Sequence, residues 1–377
     1  MLRVSTLILL LISCAACSPR VQPDRTELDQ ALDELFTTAG IVTAGAGVIE
    51  DGELVWTGYY GEQSPGIPAS RTTLFNVASI TKTVATETVL RLVATGDLSL
   101  DEPMGAFWVD PDLADDPRAL ELTPRMVLTH TTGLPNWRWS NNGVLRFERD
   151  PDTGFVYSGE GFEWLARFVE NKLGDDFETY VEDLVFTPLG MENASMSVRS
   201  SRFDQLAQAV DEDGTFSGHY CRPNGWCRPE GSYSTADDMV ISVEDYARFL
   251  IASMNGTGLT EDLRRERDRV QANVNRNHAT VDCASVSEEA CPEAQGYGIG
   301  WTVTDYGTDQ LIGHGGSDWS ELAIAYFHNQ SHDGIVLFLN APPSRALSVM
   351  SDAIALLDPD SPMIDYYRRW HEAATTE

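Results

Sequence analysis

The sequence predicts an α+β fold: an antiparallel β-sheet flanked by helices and drawn from both chain ends, with a mainly helical region inserted between them. Three observations carry this reading. Two apolar runs, IVTAGAGVIE and ELVWTGYYG, meet at Asp51-Gly52, a hairpin signal. Four more, WTVTDYG, DQLIGHGG, LAIAYFH and GIVLFLN, follow one another late in the chain with polar turns such as NQSHDG between them. The long middle places its apolar residues at helical spacing. Strands at both ends with helices between them form one layered unit. We expect its α/β part at about 24–78 and 295–360 and its helical part at about 79–294, within a single domain over 24–377.

The elements follow in order. MLRVSTLILLLISCAAC has one early Arg, a short apolar core, then small residues and two cysteines, the pattern of an export signal. Leu11-Ile12-Ser13-Cys14 resembles a bacterial lipobox, and Cys17 is a second candidate. Cleavage before either would leave a cysteine to carry lipid and a short tether, so that residues 1–23 form a lipoprotein signal peptide and tether. A plain secretory signal cut after Ala15 or Ala16 is the other reading. Both send the protein out of the cytoplasm, to a bacterial periplasm. TELDQALDELFTTA (26–39) reads as a helix after an acidic start. Residues 79–95 form a strongly apolar helix that stops at Gly96, and 161–173, 176–185 and 242–254 are helical. PSRALSVMSDAIALLD closes the fold as a helix. No internal stretch approaches the roughly 18 apolar residues of a membrane span.

Composition removes some functions. The net charge of −32 repels phosphate and argues against a nucleic-acid partner. Cys221, Cys227, Cys283 and Cys291 remain for an oxidising compartment. Bridges 221–227 and 283–291 are the simplest of three connectivities. No C-x-x-C spacing supports zinc. His328 and His332 sit in a predicted hairpin turn rather than on a helix, which argues against a metal site there. We expect neither metal nor cofactor.

Of 26 basic residues only Lys82 and Lys172 are lysines. Lys172 lies in a polar helix end, where a charge near the last carbonyls suffices. Lys82 lies three residues after Ser79, and a helix puts i and i+3 on one face. A hydroxyl is a weak nucleophile until a base takes its proton. An arginine cannot serve as that base, whereas a lysine amine can. A helix start also offers free N–H groups to a developing negative charge.

The wider pattern, FNVASITKT…GDLSLDEPM, LTPRMVLTHTTGLP, TGFVYSGEGFEWLARFVE, EGSYSTADDMVISVEDYARFL, YGIGW and IGHGG, resembles the serine β-lactamase-like hydrolases. These include class C β-lactamases, D-amino-acid-specific peptidases and related esterases. The resemblance covers nearly all of the chain after the signal and implies a β-lactamase/transpeptidase-like fold. It implies Ser79 as the acylated nucleophile and Lys82 as its base partner. Tyr157, in Tyr-Ser-Gly, matches the family's Tyr-x-Asn motif and would share proton transfer. His314-Gly315-Gly316 matches the third motif, with glycines that let substrate approach the strand and a histidine that orients it. Backbone N–H groups of Ser79 and Ser317 would form the oxyanion hole.

Two departures bear on substrate. Gly159 stands where the family usually has Asn; losing that side chain removes a polar grip on amides and leaves space or water. His314, where Lys is common, gives no permanent charge above about pH 6.5. Both point away from efficient β-lactam hydrolysis and towards carboxylic esters or unusual amides, with esters the leading class. A D-stereospecific peptidase, a β-lactamase acting on cell-wall-type amides and a non-catalytic periplasmic binding protein are the alternatives. Trp137, Trp139 and Trp319 are candidates to wall an apolar acyl group, and His130 reads as structural. The expected partners are a small ester or peptide-like substrate and, through the lipid anchor alone, a membrane.

Overall fold

The computed structural model describes residues 25–376 except 223 and 277. The signal segment, with Cys14 and Cys17, lies outside the described residues. Nine antiparallel strands form the main sheet. In spatial order they are Ile67–Pro68, Glu53–Ser64, Thr43–Glu50, Gly334–Asn340, Glu321–His328, Gln310–Asp318, Thr302–Asp305, Ala294–Tyr297 and Ala272–Asn273. The first hairpin turns at Asp51 and Gly52, both with positive φ (50° and 79°), which suits the twist of its flanking strands. The chain ends meet where Thr43–Glu50 pairs with Gly334–Asn340, with Ala44 opposite Leu339.

Both faces of the central strands are buried, so GIVLFLN reads as an unbroken apolar run rather than an alternation. Leu337 and Leu339 pack with Leu32 and Phe36 of the helix Arg25–Ala39 and with Leu347, Met350 and Ile354 of the helix Pro343–Leu357. Val336 and Phe338 face the other way, into a core with Val243, Tyr246 and Phe249 of the helix Val243–Met254. That second core also takes in the helix Thr81–Thr95, whose residues 81–92 are all buried. A helix buried on every side must satisfy its own charges. Glu87 does so with Arg267 at 2.7 Å, and Arg267 also reaches Asp268 at 2.7 Å and the Ser253 carbonyl at 2.9 Å. Gly96, at φ 86°, ends the helix as expected.

The helical region also holds a three-stranded sheet in which Val240–Ile241 lies between Phe75–Asn76 and Ala194–Ser195. Disulfides join Cys221 to Cys227 and Cys283 to Cys291. Two elements differ from expectation. The segment read as a helix over 176–185 is α-helical only over Phe177–Val181 and widens into a π-turn over Glu182–Phe186. A helix over Met363–Thr376, not foreseen, follows the Asp-Pro-Asp-Ser-Pro break and packs on Pro343–Leu357.

Candidate active site

The strand Phe75–Asn76 runs into a 3₁₀ turn, Ala78–Ile80, which leads directly into the helix Thr81–Thr95. Ser79 stands half-exposed in that turn. Lys82 occupies the first turn of the helix and is 1% exposed. Its Nζ lies 3.0 Å from Ser79 Oγ and donates to the Ala236 carbonyl at 2.8 Å. The amine sits 4.9 Å from the centre of the Tyr157 ring and 5.6 Å from that of Phe162. The i, i+3 spacing thus brings hydroxyl and amine together, and two rings close the amine from solvent.

Tyr157 precedes Ser158, which caps the helix Gly159–Leu173 by accepting from the Gly161 N–H at 2.9 Å. His130, at φ 55°, packs its ring 4.3 Å from that of Tyr157 and accepts from the Ser158 N–H at 3.1 Å. It is a support for the tyrosine, in keeping with a structural role.

His314 lies mid-strand in Gln310–Asp318 and is buried. Its Nδ1 faces the Gly315 carbonyl at 2.6 Å and so carries the proton; Nε2 then accepts from the Tyr297 hydroxyl at 3.3 Å. Burial, and then the Lys82 charge, pull the imidazole down to about 3, against the opposing pull of the Gly315 carbonyl. His314 is therefore neutral well below pH 6.5.

These groups share one cavity of about 690 Å³, lined by Ser79, Tyr157, His314, Gly315, Gly316 and Ser317. Gly316 has a task beyond substrate access. A Cβ there would lie 2.1 Å from the Val77 carbonyl oxygen, so the missing side chain lets the strand press on the nucleophile turn. Gly159 is not in the cavity wall. A Cβ on it would meet Trp137 Cη2 and Cζ2 at 2.9 Å and the Asn136 carbonyl at 3.1 Å. The space expected to stand open or hold water is filled by the Trp137 indole. Trp139 packs against Trp137 with ring centres 4.9 Å apart and planes tilted by 31°, and is exposed. Trp319 is half-buried in the turn after Asp318 and, like Trp137 and Trp139, is not among the cavity-lining residues. The apolar wall comes instead from Tyr366, Tyr367 and Trp370 of the C-terminal helix, with Tyr297.

The β-lactamase family's sequence model matches residues 28–358. The chain belongs to the β-lactamase family. It is a family of serine hydrolases, and the proteins this chain is similar to include an esterase and a D-alanyl-D-alanine carboxypeptidase. The chain is 31% identical to esterase EstB of Burkholderia gladioli over 208 residues, 47% of this chain and 53% of that one. It therefore spans only about half of that relative. Penicillin-binding protein 4 of Amycolatopsis lactamdurans is 24% identical over 87% of this chain and 88% of its own. Among solved structures, the D-amino acid amidase of Ochrobactrum anthropi SV3 superposes with a TM-score of 0.66 at 20% identity. That match covers 84% of this chain and 91% of the amidase, and shows the fold.

Within this β-lactamase-family chain, the fragment YGIGW marked Tyr297 without revealing its hydrogen bond to His314. The Ala236 carbonyl that receives Lys82 carries no side-chain signal at all. The Met363/Tyr366/Tyr367/Trp370 stripe, spaced i, i+3, i+4, i+7, was a readable sign of the C-terminal wall. Lys172 forms an ion pair with Glu102 at 2.6 Å.

Proposed function

We propose that the chain is a serine hydrolase that forms an acyl-enzyme on Ser79 and cleaves carboxylic esters. The observation that carries this is the 3.0 Å approach of buried Lys82 Nζ to Ser79 Oγ, whose residue lines a cavity together with Tyr157 and His314. With one N–H given to Ala236, the amine in its neutral form has a lone pair for the Ser79 proton as the oxygen attacks an acyl carbon. Backbone N–H groups of Ser79 and Ser317 stabilise the oxyanion. Tyr157, beside the amine, carries the proton on to the leaving alcohol and later takes one from water, which releases the acid.

Substrate choice follows from both ends of the site. Trp137 closes the space at 159 where an amide-binding side chain would sit, and neutral His314 supplies no charge for a carboxylate. Both favour a neutral ester. A D-stereospecific peptidase is the second reading, supported by the Arg369 guanidinium in the cavity wall, where a substrate carboxylate would find a cation. We further propose an exported, lipid-anchored protein, a reading that rests on residues 1–17 and agrees with the two disulfides. A thioether-linked lipid mass on the N-terminal peptide tests it, and an unmodified peptide refutes it.

The activity test is direct. A fluorophosphonate probe should add its mass to the Ser79 peptide, and turnover of a short-chain p-nitrophenyl ester should exceed that of a D-Ala-D-Ala peptide and of a chromogenic cephalosporin. Absence of labelling favours a non-catalytic binding protein; preference for the peptide favours the second reading.

A further inference from the structure

The turn that carries Ser79 and the strand that carries Ser317 are tied together outside the cavity. Asn76 ends the short strand ahead of the nucleophile turn, and its side-chain oxygen accepts from the Ala78 N–H at 3.0 Å. Ala78 has φ 46°, a left-handed conformation that costs an L-residue about 1 kcal/mol or more. The Asn76 amide nitrogen donates in turn to Glu321 Oε1. Glu321 opens the strand Glu321–His328 and pairs with Asp318 across the tight turn; its other oxygen accepts from the Ser320 N–H at 2.8 Å. It is 3% exposed. One buried carboxyl thus links the hairpin bearing Ser317 to the peptide ahead of Ser79, two segments 245 residues apart in the chain.

We propose that Glu321 and Asn76 are positioning residues whose bridge sets the spacing of the Ser79 and Ser317 backbone N–H groups and holds the strained turn that aims the Ser79 hydroxyl. Neither side chain lines the cavity, so neither touches substrate. The inference rests on the hydrolase reading above, which makes those two N–H groups the donors to a developing oxyanion. Displacing such donors weakens the transition state more than the bound substrate, so the loss falls on kcat rather than KM. Burial and the neighbouring Asp318 carboxylate push Glu321 up to about 8, with the Ser320 N–H, Asn76 and Arg228 pulling it down. Glu321→Gln keeps the side chain's shape and an oxygen for Asn76, but turns its amide nitrogen toward the Ser320 N–H, which loses its acceptor.

The rate of Ser79 phosphonylation by a fluorophosphonate reads the nucleophile and its oxyanion donors without the natural substrate. It should be measured for the wild type, Asn76→Ala, Glu321→Ala, the double variant and Glu321→Gln, with kcat and KM on a p-nitrophenyl ester and circular dichroism as a check of folding. Each Ala variant should slow phosphonylation and kcat about tenfold or more, with KM within about threefold. The double variant should be no slower than Asn76→Ala, which already loses both the bridge and the Ala78 cap. Glu321→Gln keeps the bond to Asn76 and should lose clearly less activity than Glu321→Ala. Folded Ala variants at wild-type rates, or losses that multiply in the double variant, overturn the proposal. Should the Ala variants not fold, Asn76→Ser decides: its hydroxyl still caps the Ala78 N–H but is too short for Glu321, so a wild-type rate overturns the bridge and a tenfold loss supports it. A wild type that resists labelling removes the hydrolase reading and the bridge together. A labelled wild type with unaffected variants removes only the bridge.

Discussion

Gly159→Asn introduces the residue that the Tyr-x-Asn motif of the resemblance leads one to expect, and the structure predicts that it destabilises the protein. The new Cβ would lie 2.9 Å from two indole carbons of Trp137 and 3.1 Å from the Asn136 carbonyl, and the carboxamide must find room beyond it. Trp137 is itself held, half-buried, against the core. Such overpacking costs about 1–3 kcal/mol. A few tenths return because Asn is the better helix former and Gly159 opens the helix. The net expectation is a loss of about 1–2.5 kcal/mol in urea unfolding followed by circular dichroism. Trp137→Ala makes room, so the double variant should be more stable than the sum of the single effects by about the size of the clash. Additive effects, or a Gly159→Asn protein as stable as wild type, would show that the indole does not occupy the motif position.

Other outcomes follow from the same contacts. Lys82→Met keeps much of the side-chain volume, and should lower ester turnover and Ser79 labelling about 10²–10⁴-fold; because the Ala236 carbonyl loses its donor, unfolding should show a cost of about 1–3 kcal/mol. Glu87→Ala takes from the fully buried Arg267 guanidinium one of its two carboxylate partners, leaving Asp268 and the Ser253 carbonyl, and should cost about 3 kcal/mol in urea unfolding, with the site chemistry untouched in protein that still folds. His328 is opposed by burial yet raised to about 9 by its bonds to Asp309 and Asp358. Its folded-state value lies above the unfolded 6.5, so its contribution is complete below about pH 6.5 and disappears as pH climbs through about 9. The stability difference between wild type and His328→Gln should shrink across that window, and a constant difference would refute the assignment.

Much of the fold was legible because it is written in periods. The hairpin at Asp51-Gly52 needs two residues in the left-handed region, and the sequence supplies an aspartate and a glycine there. The apolar run over 79–95 and its stop at Gly96 are equally local signals. Ser79 and Lys82 were legible for the same reason, since a 3₁₀ turn running directly into the helix keeps residues three apart on one side. What stayed hidden depends on segments distant in sequence. Nothing local tells that the side chain filling the place beside Gly159 comes from Trp137. The acidity of His314 depends on its burial and on Lys82, 232 positions away, and neither is a property of the fragment IGHGG. The buried Glu87–Arg267 pair was invisible because a charge inside an apolar helix looks like a surface position until its partner is placed. The C-terminal helix is a different case, since its stripe was present but follows two prolines and carries many charges.

On the proposed ester reading, Gly159 and neutral His314 act at opposite ends of a substrate, yet withhold the same thing, a grip on polar or charged groups. The long-range field agrees with them. A chain with a net charge of −32 repels an anion before it reaches the cavity, and leaves a neutral ester unaffected. Ionic strength therefore separates the ester and peptide readings without any mutation. For a neutral p-nitrophenyl ester, kcat/KM should be flat between about 0.02 and 0.5 M salt. For a peptide with a free carboxylate it should rise, because the Debye length falls from roughly 20 Å to below 5 Å over that span and screens the repulsion. A peptide kcat/KM that instead falls with salt would mean that local cations, Arg369 foremost, outweigh the net charge and draw the carboxylate in. That result would move the substrate assignment from esters to D-stereospecific peptides while leaving Ser79 and Lys82 in their roles.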